Sequence, residues 1–149
     1  VIIGHSENRH QGESNKLINL KIKNALKSNL KIVFCIGETL QEKRKKITKQ
    51  ILDKQIKLGL KDIRNKKDII IAYEPVWSIG TNVIPNQREL IKSINYIKKK
   101  ISKNKVIYGG SVNPTNAEEV LGLEAVNGVL VGGASLNTND FWEIVNAAS

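Results

Sequence analysis

A single cysteine, Cys35, leaves this sequence without an internal disulfide, and with only His5 and His10 beside it there is no metal constellation. A reducing cytoplasm is the expected setting. No apolar run approaches the roughly 20 residues that cross a bilayer, so no membrane partner is expected. Methionine is absent, and the chain opens inside the apolar run Val1-Ile2-Ile3 with no polar leader or signal segment. Val1 is therefore expected to be a truncation point. Acidic residues are also scarce, 14 against 24 lysines and arginines, for a formal charge of +10. The basic runs at 43–46, 66–67 and 98–100 would suit nucleic acid or an acidic surface. They fall in predicted helices or the turns that end them, and few aromatics are interleaved with them to stack on bases. Solvated helix faces are the expected reading, with nucleic acid not a partner, and a general positive field suits a small phosphorylated metabolite.

What the chain does have is alternation. Short apolar, β-branched runs at 1–4, 32–36, 69–73, 106–108 and 129–131 are separated by longer amphipathic stretches. That order predicts βα units on a parallel sheet. Helical stripes run through Ile18, Ile22, Ala25 and Leu26, through Ile47, Ile51 and Leu52, and through Leu90, Ile91, Ile94, Ile97 and Ile101. A last helix over 140–147 is expected to bury Phe141, Ile144 and Val145. Thr39 with Glu42 predicts a capping box, and Asn113 with Pro114 a cap followed by a first-turn proline. No linker divides the chain, so residues 1–149 are expected to form a single domain. At 149 residues it is shorter than the roughly 250 of a complete eight-unit βα barrel.

The most informative tract is Ala72-Tyr73-Glu74-Pro75-Val76-Trp77-Ser78-Ile79-Gly80-Thr81. Pro75 has no amide to continue a ladder, so the chain leaves the sheet at Glu74 and sets a carboxylate at the strand end ahead of a loop that could close. Three other apolar runs deliver polar or glycine-rich residues at their carboxyl ends: Gly4-His5-Ser6-Glu7, Tyr108-Gly109-Gly110-Ser111-Val112-Asn113, and Leu130-Val131-Gly132-Gly133-Ala134-Ser135. In a βα barrel such ends converge on the active site.

In order and spacing, these four segments resemble triosephosphate isomerase. The tract from Ala72 to Thr81 and the Tyr108-Gly109-Gly110-Ser111 turn are the specific matches, and the other two support them. The resemblance runs from Val1 to about Val145 and implies a partial (β/α)8 barrel, about its last five strands, from the carboxyl-terminal part of the family's chain. It implies an isomerase interconverting dihydroxyacetone phosphate and glyceraldehyde 3-phosphate through an enediolate, without cofactor or metal, and a homodimer when complete. Glu74 would be the catalytic base. His5 would be a neutral imidazole polarising the substrate carbonyl, with Glu7 supporting it. The resemblance assigns the substrate phosphate to Gly80, Ser111, Gly132 and Gly133, where glycines let amides approach an anion. Pro75, Val76, Trp77, Ile79 and Thr81 would belong to a lid that excludes water. Ile79 and Leu130 would clamp Glu74, and Tyr108 would meet the closed lid alongside Ser111.

There are departures. The family's usual pair of arginines after the His5 segment reads Asn8 and Arg9 here, and the loop after Thr81 is shorter than the commoner form. The first-strand asparagine and lysine and the dimer loop of the family have no counterpart in the chain. The isolated segment is accordingly expected to be inactive and prone to associate. Two other readings stand beside this one: another phosphate-binding βα-barrel enzyme, and a noncatalytic basic binding module.

Overall fold

The computed structural model describes residues 1–101 and 103–148. Four apolar runs become strands: β1 (Ile2–Ile3), β2 (Ile32–Ile36), β3 (Ile69–Tyr73) and β4 (Val106–Tyr108). They pair in parallel in the order β1-β2-β3-β4. Parallel neighbours need a crossover, and helices supply it. Ser6–His10 (α1) and Asn15–Lys27 (α2) join β1 to β2, and Leu40–Arg44 (α3) and Thr48–Gly59 (α4) join β2 to β3. Gln87–Ile101 (α5) leads to β4, and Pro114–Leu121 (α6) and Thr138–Asn146 (α7) complete the order. The capping box at Thr39 and Glu42 forms, as does the Asn113 cap ahead of Pro114.

Two strands differ from their sequence-based extents. β1 stops at Ile3 because Gly4, at φ 78°, turns the backbone out of the extended region. The predicted fifth strand at 129–131 shrinks to one parallel bridge between Tyr108 and Val129. Tyr108 N donates to Gly128 O at 3.0 Å, and Leu130 N donates to Tyr108 O at 2.8 Å. Among the described residues, the ladder at Val129 is paired on the β4 side only, and Gly132 leads at once into a 3-10 turn, Gly133–Leu136.

The core lies where helix stripes meet the sheet. Ile18, Ile22 and Ala25 of α2, and Leu90, Ile94, Ile97 and Ile101 of α5, are buried against Phe34, Ile36, Ile69 and Ile71. Leu26 and Ile91 are half-buried at the margin. Each fully buried isoleucine contributes about 1.5–3 kcal/mol. On α4 the buried stripe is Leu52, Gln55, Ile56 and Gly59, not the predicted Ile47-Ile51-Leu52. Ile47 is the helix N-cap, and Ile51 sits on the flank, half-buried. The last helix departs further. Only Ile144 is buried on α7, while Phe141 and Val145 are 42% and 41% exposed, because α7 packs chiefly on α6 and the 3-10 turn beside it.

Polar groups pin the helices to one another. The buried Asn19 of α2 donates from Nδ2 to Gly59 O and Lys61 O, both at 2.9 Å, which satisfies carbonyls at the end of α4. Gly59 is there because a Cβ would lie 2.4 Å from Cζ of Phe34, a ring with no solvent exposure. Gly59→Ala is therefore expected to cost about 1–3 kcal/mol by overpacking. A lowered urea midpoint at unchanged slope is the measurement that checks it.

Candidate active site

The β2–β3 ladder continues past the strands and carries Glu74 into position. Glu74 N donates to Ile36 O at 2.7 Å and Val76 N to Glu38 O at 2.9 Å, and Pro75 between them has no amide to give. Neighbouring backbone then closes on Glu74, against its carbonyl from one side and its side chain from the other. A Cβ on Gly37 would fall 1.7 Å from Glu74 O, and one on Gly109 would fall 2.8 Å from Glu74 Cγ. Only glycine lets the ends of β2 and β4 close on Glu74, which is 2% exposed. Gly37 is fixed in turn by the buried Gln55 of α4, whose Oε1 accepts from Gly37 N at 2.8 Å and whose Nε2 donates to Gly37 O at 3.0 Å.

His5 arrives from β1. After the Gly4 turn, Arg9 ties the strand ends together, donating from Nε to Gly4 O at 2.7 Å and from Nη2 to Cys35 O at 3.0 Å. His5 caps α1, and its Nδ1 accepts from Glu7 N at 3.4 Å. With the Glu7 amide directed at Nδ1, the neutral tautomer that suits the contact places its hydrogen on Nε2. Nε2 lies 3.5 Å from Glu74 Oε1. That separation is too long for a good hydrogen bond, and Oε1 is a buried oxygen without a hydrogen-bond partner.

Burial holds the Glu74 carboxyl above the usual carboxylate range, opposed by His5, the Cys35 thiol, the Ser6 amide and Arg9. Burial also pushes the Cys35 thiol up, helped by the nearby Glu74 charge. Cys35 therefore stays protonated and acts as packing and a weak donor, not a nucleophile. The result is a desolvated carboxylate facing an imidazole N–H across a gap. Such a pair can take a proton from carbon while polarising the adjoining oxygen.

The segment after Glu74 is held at both ends. Ser78 O accepts from Ser111 N at 3.1 Å and Ser111 Oγ at 2.5 Å, and Ser111 Oγ also accepts from Asn82 N at 3.2 Å. The Ser78 and Tyr108 hydroxyls lie 2.8 Å apart. Burial raises the Tyr108 hydroxyl to about 12, with the Ser78 contact opposing, so it remains a donor at neutral pH. On the other side Trp77 Nε1 donates to Glu38 Oε1 at 2.9 Å, Tyr73 OH donates to Glu38 Oε2 at 3.2 Å, and Lys43 Nζ sits 3.6 Å from the Trp77 ring centre. Gly80, at φ 66°, is exposed beyond these anchors.

Of the residues singled out from sequence, His5 and Glu74 come together, and Ser111 and Tyr108 reach the segment that contains Val76, Trp77, Ile79 and Thr81. Pro75 is buried at its root. Gly132 and Gly133 lie exposed next to the β4 edge, and Ile79 and Leu130 are half-buried. The Glu7 side chain is 83% exposed, with its carboxylate 3.8 Å from His5 Nδ1. Sequence reasoning missed Gly37, Glu38 and Gln55. Gly37-Glu38 closes the run Ile32–Ile36, the same strand-end position that marked His5 and Glu74, so that signal was present. Gln55 had none. Among the described residues no group of three or more His, Cys, Asp or Glu could hold a metal, and no helix is long and apolar enough to cross a membrane.

A parallel βα sheet with a buried carboxylate, an imidazole and glycine turns gathered at its carboxyl edge defines part of a βα-barrel protein with its site at the strand ends. The family model for triosephosphate isomerase matches residues 1–148, and the chain belongs to that family. It is 44% identical to the triosephosphate isomerase of Prosthecochloris aestuarii over 158 residues, covering 99% of this chain and 63% of that protein. The triosephosphate isomerase of Lawsonia intracellularis is likewise 44% identical, with the same coverage. The crystal structure of triosephosphate isomerase from Bartonella henselae superposes with a TM-score of 0.90 at 36% identity, over 99% of this chain and 63% of that one. The chain thus spans a little under two thirds of the length of these relatives.

Proposed function

We propose that the complete protein interconverts dihydroxyacetone phosphate and glyceraldehyde 3-phosphate, and that this chain supplies its proton-transfer pair and phosphate cup. The observation that carries the reading is the unpartnered, buried Oε1 of Glu74 facing His5 Nε2 at 3.5 Å. Glu74 removes a proton from the carbon beside the substrate carbonyl, and the electron pair passes into the C–O bond. His5 Nε2–H donates to the carbonyl oxygen as charge develops there, giving an enediolate or enediol. Glu74 then returns its proton to the neighbouring carbon while His5 Nε2 takes back a proton from the hydroxyl on that carbon's partner, which becomes the new carbonyl, so the isomerisation is neutral in protons and electrons. Burial makes Glu74 a stronger base than a solvated carboxylate.

The amides of Gly80, Gly132 and Gly133 hold the substrate phosphate, joined by that of Ser111 once it leaves Ser78 O, and the glycines allow the close approach. The segment from Pro75 to Thr81 closes over the site, Ile79 and Leu130 press on Glu74, and Tyr108 and Ser111 anchor the closed form. Exclusion of water protects the enediolate from loss of phosphate. The complete protein is a cytoplasmic homodimer in this reading. His5→Gln in that protein is expected to lower kcat about a hundredfold with little change in KM, because the donor acts mainly in the transition state. A coupled triose-phosphate assay checks it. Wild-type protein without isomerase turnover would sink the reading, and full activity in the variant would remove His5 from it.

A further inference from the structure

A second cleft, of about 680 Å³, opens between α3, α4 and α5 behind the Trp77 segment. Its size is that of a small-molecule site. Five cations line it, Lys43, Arg44, Lys46, Lys49 and Lys92, against the two carboxylates Glu38 and Glu89. Lys43 is committed, paired with Glu89 at 3.0 Å. Among the described residues, Arg44, Lys46, Lys49 and Lys92 form no ion pair, so the cleft holds a surplus of positive charge that the protein does not neutralise. The start of α4 opens onto the same space. Thr48 and Lys49 line it, and the N-cap Ile47 offers no side-chain acceptor to the first-turn amides. That leaves donors and a positive helix end beside the free cations.

We propose that this cleft is a second anion site, taking a small ligand with two or more phosphate charges, of the pyrophosphate type. The aromatic walls argue against a stacked base. Lys43 lies 3.6 Å from the centre of the Trp77 ring, and Lys49 and Lys100 each lie 5.1 Å from that of Tyr96, so cations already occupy the rings. Recognition then falls on the charged part of the ligand, and several adjacent charges suit several adjacent cations better than one does. The cleft shares Trp77 and Glu38 with the segment that follows Glu74, and Lys43 bridges from Glu89 to the Trp77 ring. A ligand that draws Lys43 away loosens that contact, which links occupancy of the cleft to the position of Trp77 and, by reciprocity, to closure over the strand-end site.

The test is calorimetric titration of the complete protein with inorganic pyrophosphate, alongside two variants. Arg44→Ala with Lys92→Ala removes two exposed cations that, among the described residues, form no ion pair and stack on no ring. Gly132→Asp puts a negative charge where a Cβ meets nothing within 4 Å, at the proposed phosphate cup. The expected result is a saturable event, separate from any at the strand-end cup, that persists in Gly132→Asp and weakens at least tenfold in the double alanine variant. Equal affinity in the double variant would mean attraction to the general surface charge, and loss in Gly132→Asp alone would place the ligand at the strand ends. Either outcome, or no saturable heat, overturns the proposal, while circular dichroism confirms that both variants are folded.

Discussion

Glu74→Gln in the complete protein is expected to lower kcat by about a thousandfold or more while triose-phosphate binding survives, since an amide of the same shape cannot accept the proton. Steady-state kinetics with a binding measurement separate the two effects, and retained turnover would exclude Glu74 as the base. The same variant should be more stable than wild type at pH 8. Burial raises the folded-state value of Glu74, so folding favours its protonated form. The stabilisation from that form is fully present below the ordinary carboxylate range, and it is lost as pH rises through the raised value. Gln keeps the neutral form at every pH. The difference in denaturation midpoint should therefore shrink as the pH falls toward 4. A gap that widens on acidification would mean that Glu74 is stabilised as the anion.

Gly37→Ala is expected to cost roughly 3 kcal/mol or more, at the upper end of overpacking penalties, because the obstructing atom is backbone. The added Cβ would lie 1.7 Å from Glu74 O, which cannot swing aside while Glu74 N is bonded to Ile36 O. Gln55 holds Gly37 from the other side, so relief must come from parting the β2 and β3 ends. Activity should fall beyond the loss of folded protein, since Glu74 moves with its own carbonyl. Urea unfolding and the specific activity of the folded fraction measure both. Gly133→Ala is the control, expected within about 0.5 kcal/mol of wild type because its Cβ enters open space at the start of the 3-10 turn. Equal stabilities for the two alanine variants would show that β2 and β3 have slack at their ends.

The strands were legible where two local signals agreed. At Ile69–Tyr73 a β-branched run stops two residues before a proline, and periodicity and backbone chemistry give the same boundary. At 129–131 only the run was present. Whether it becomes a strand depends on a second neighbour, which no local pattern reports. Amphipathicity located the apolar side of α7 correctly at Ile144. It could not say that Phe141 and Val145 would be left half in solvent, since burial is a property of what packs on the helix. The α4 stripe was displaced because Gln55 and Gly59, a polar residue and a glycine, are read as surface until Gly37 and Phe34 are seen against them.

His5 and Glu74 were marked by sequence because each follows an apolar run directly, and a parallel sheet brings such ends to one edge whatever lies between. Glu38 occupies an equivalent position. Its part became visible only when Tyr73 and Trp77 were found donating to it from 35 and 39 residues away. By itself, then, the sequence determined the alternation of strands and helices, the edge on which chemistry gathers and the types of group placed there, all of which follow from local periodicity and backbone constraints. The tertiary structure alone decided which carboxylate oxygen is left unpartnered, which ring nitrogen of His5 faces it, and which glycines must lack a Cβ. Those depend on distances of a few tenths of an ångström between segments far apart in the chain, and no local pattern encodes them.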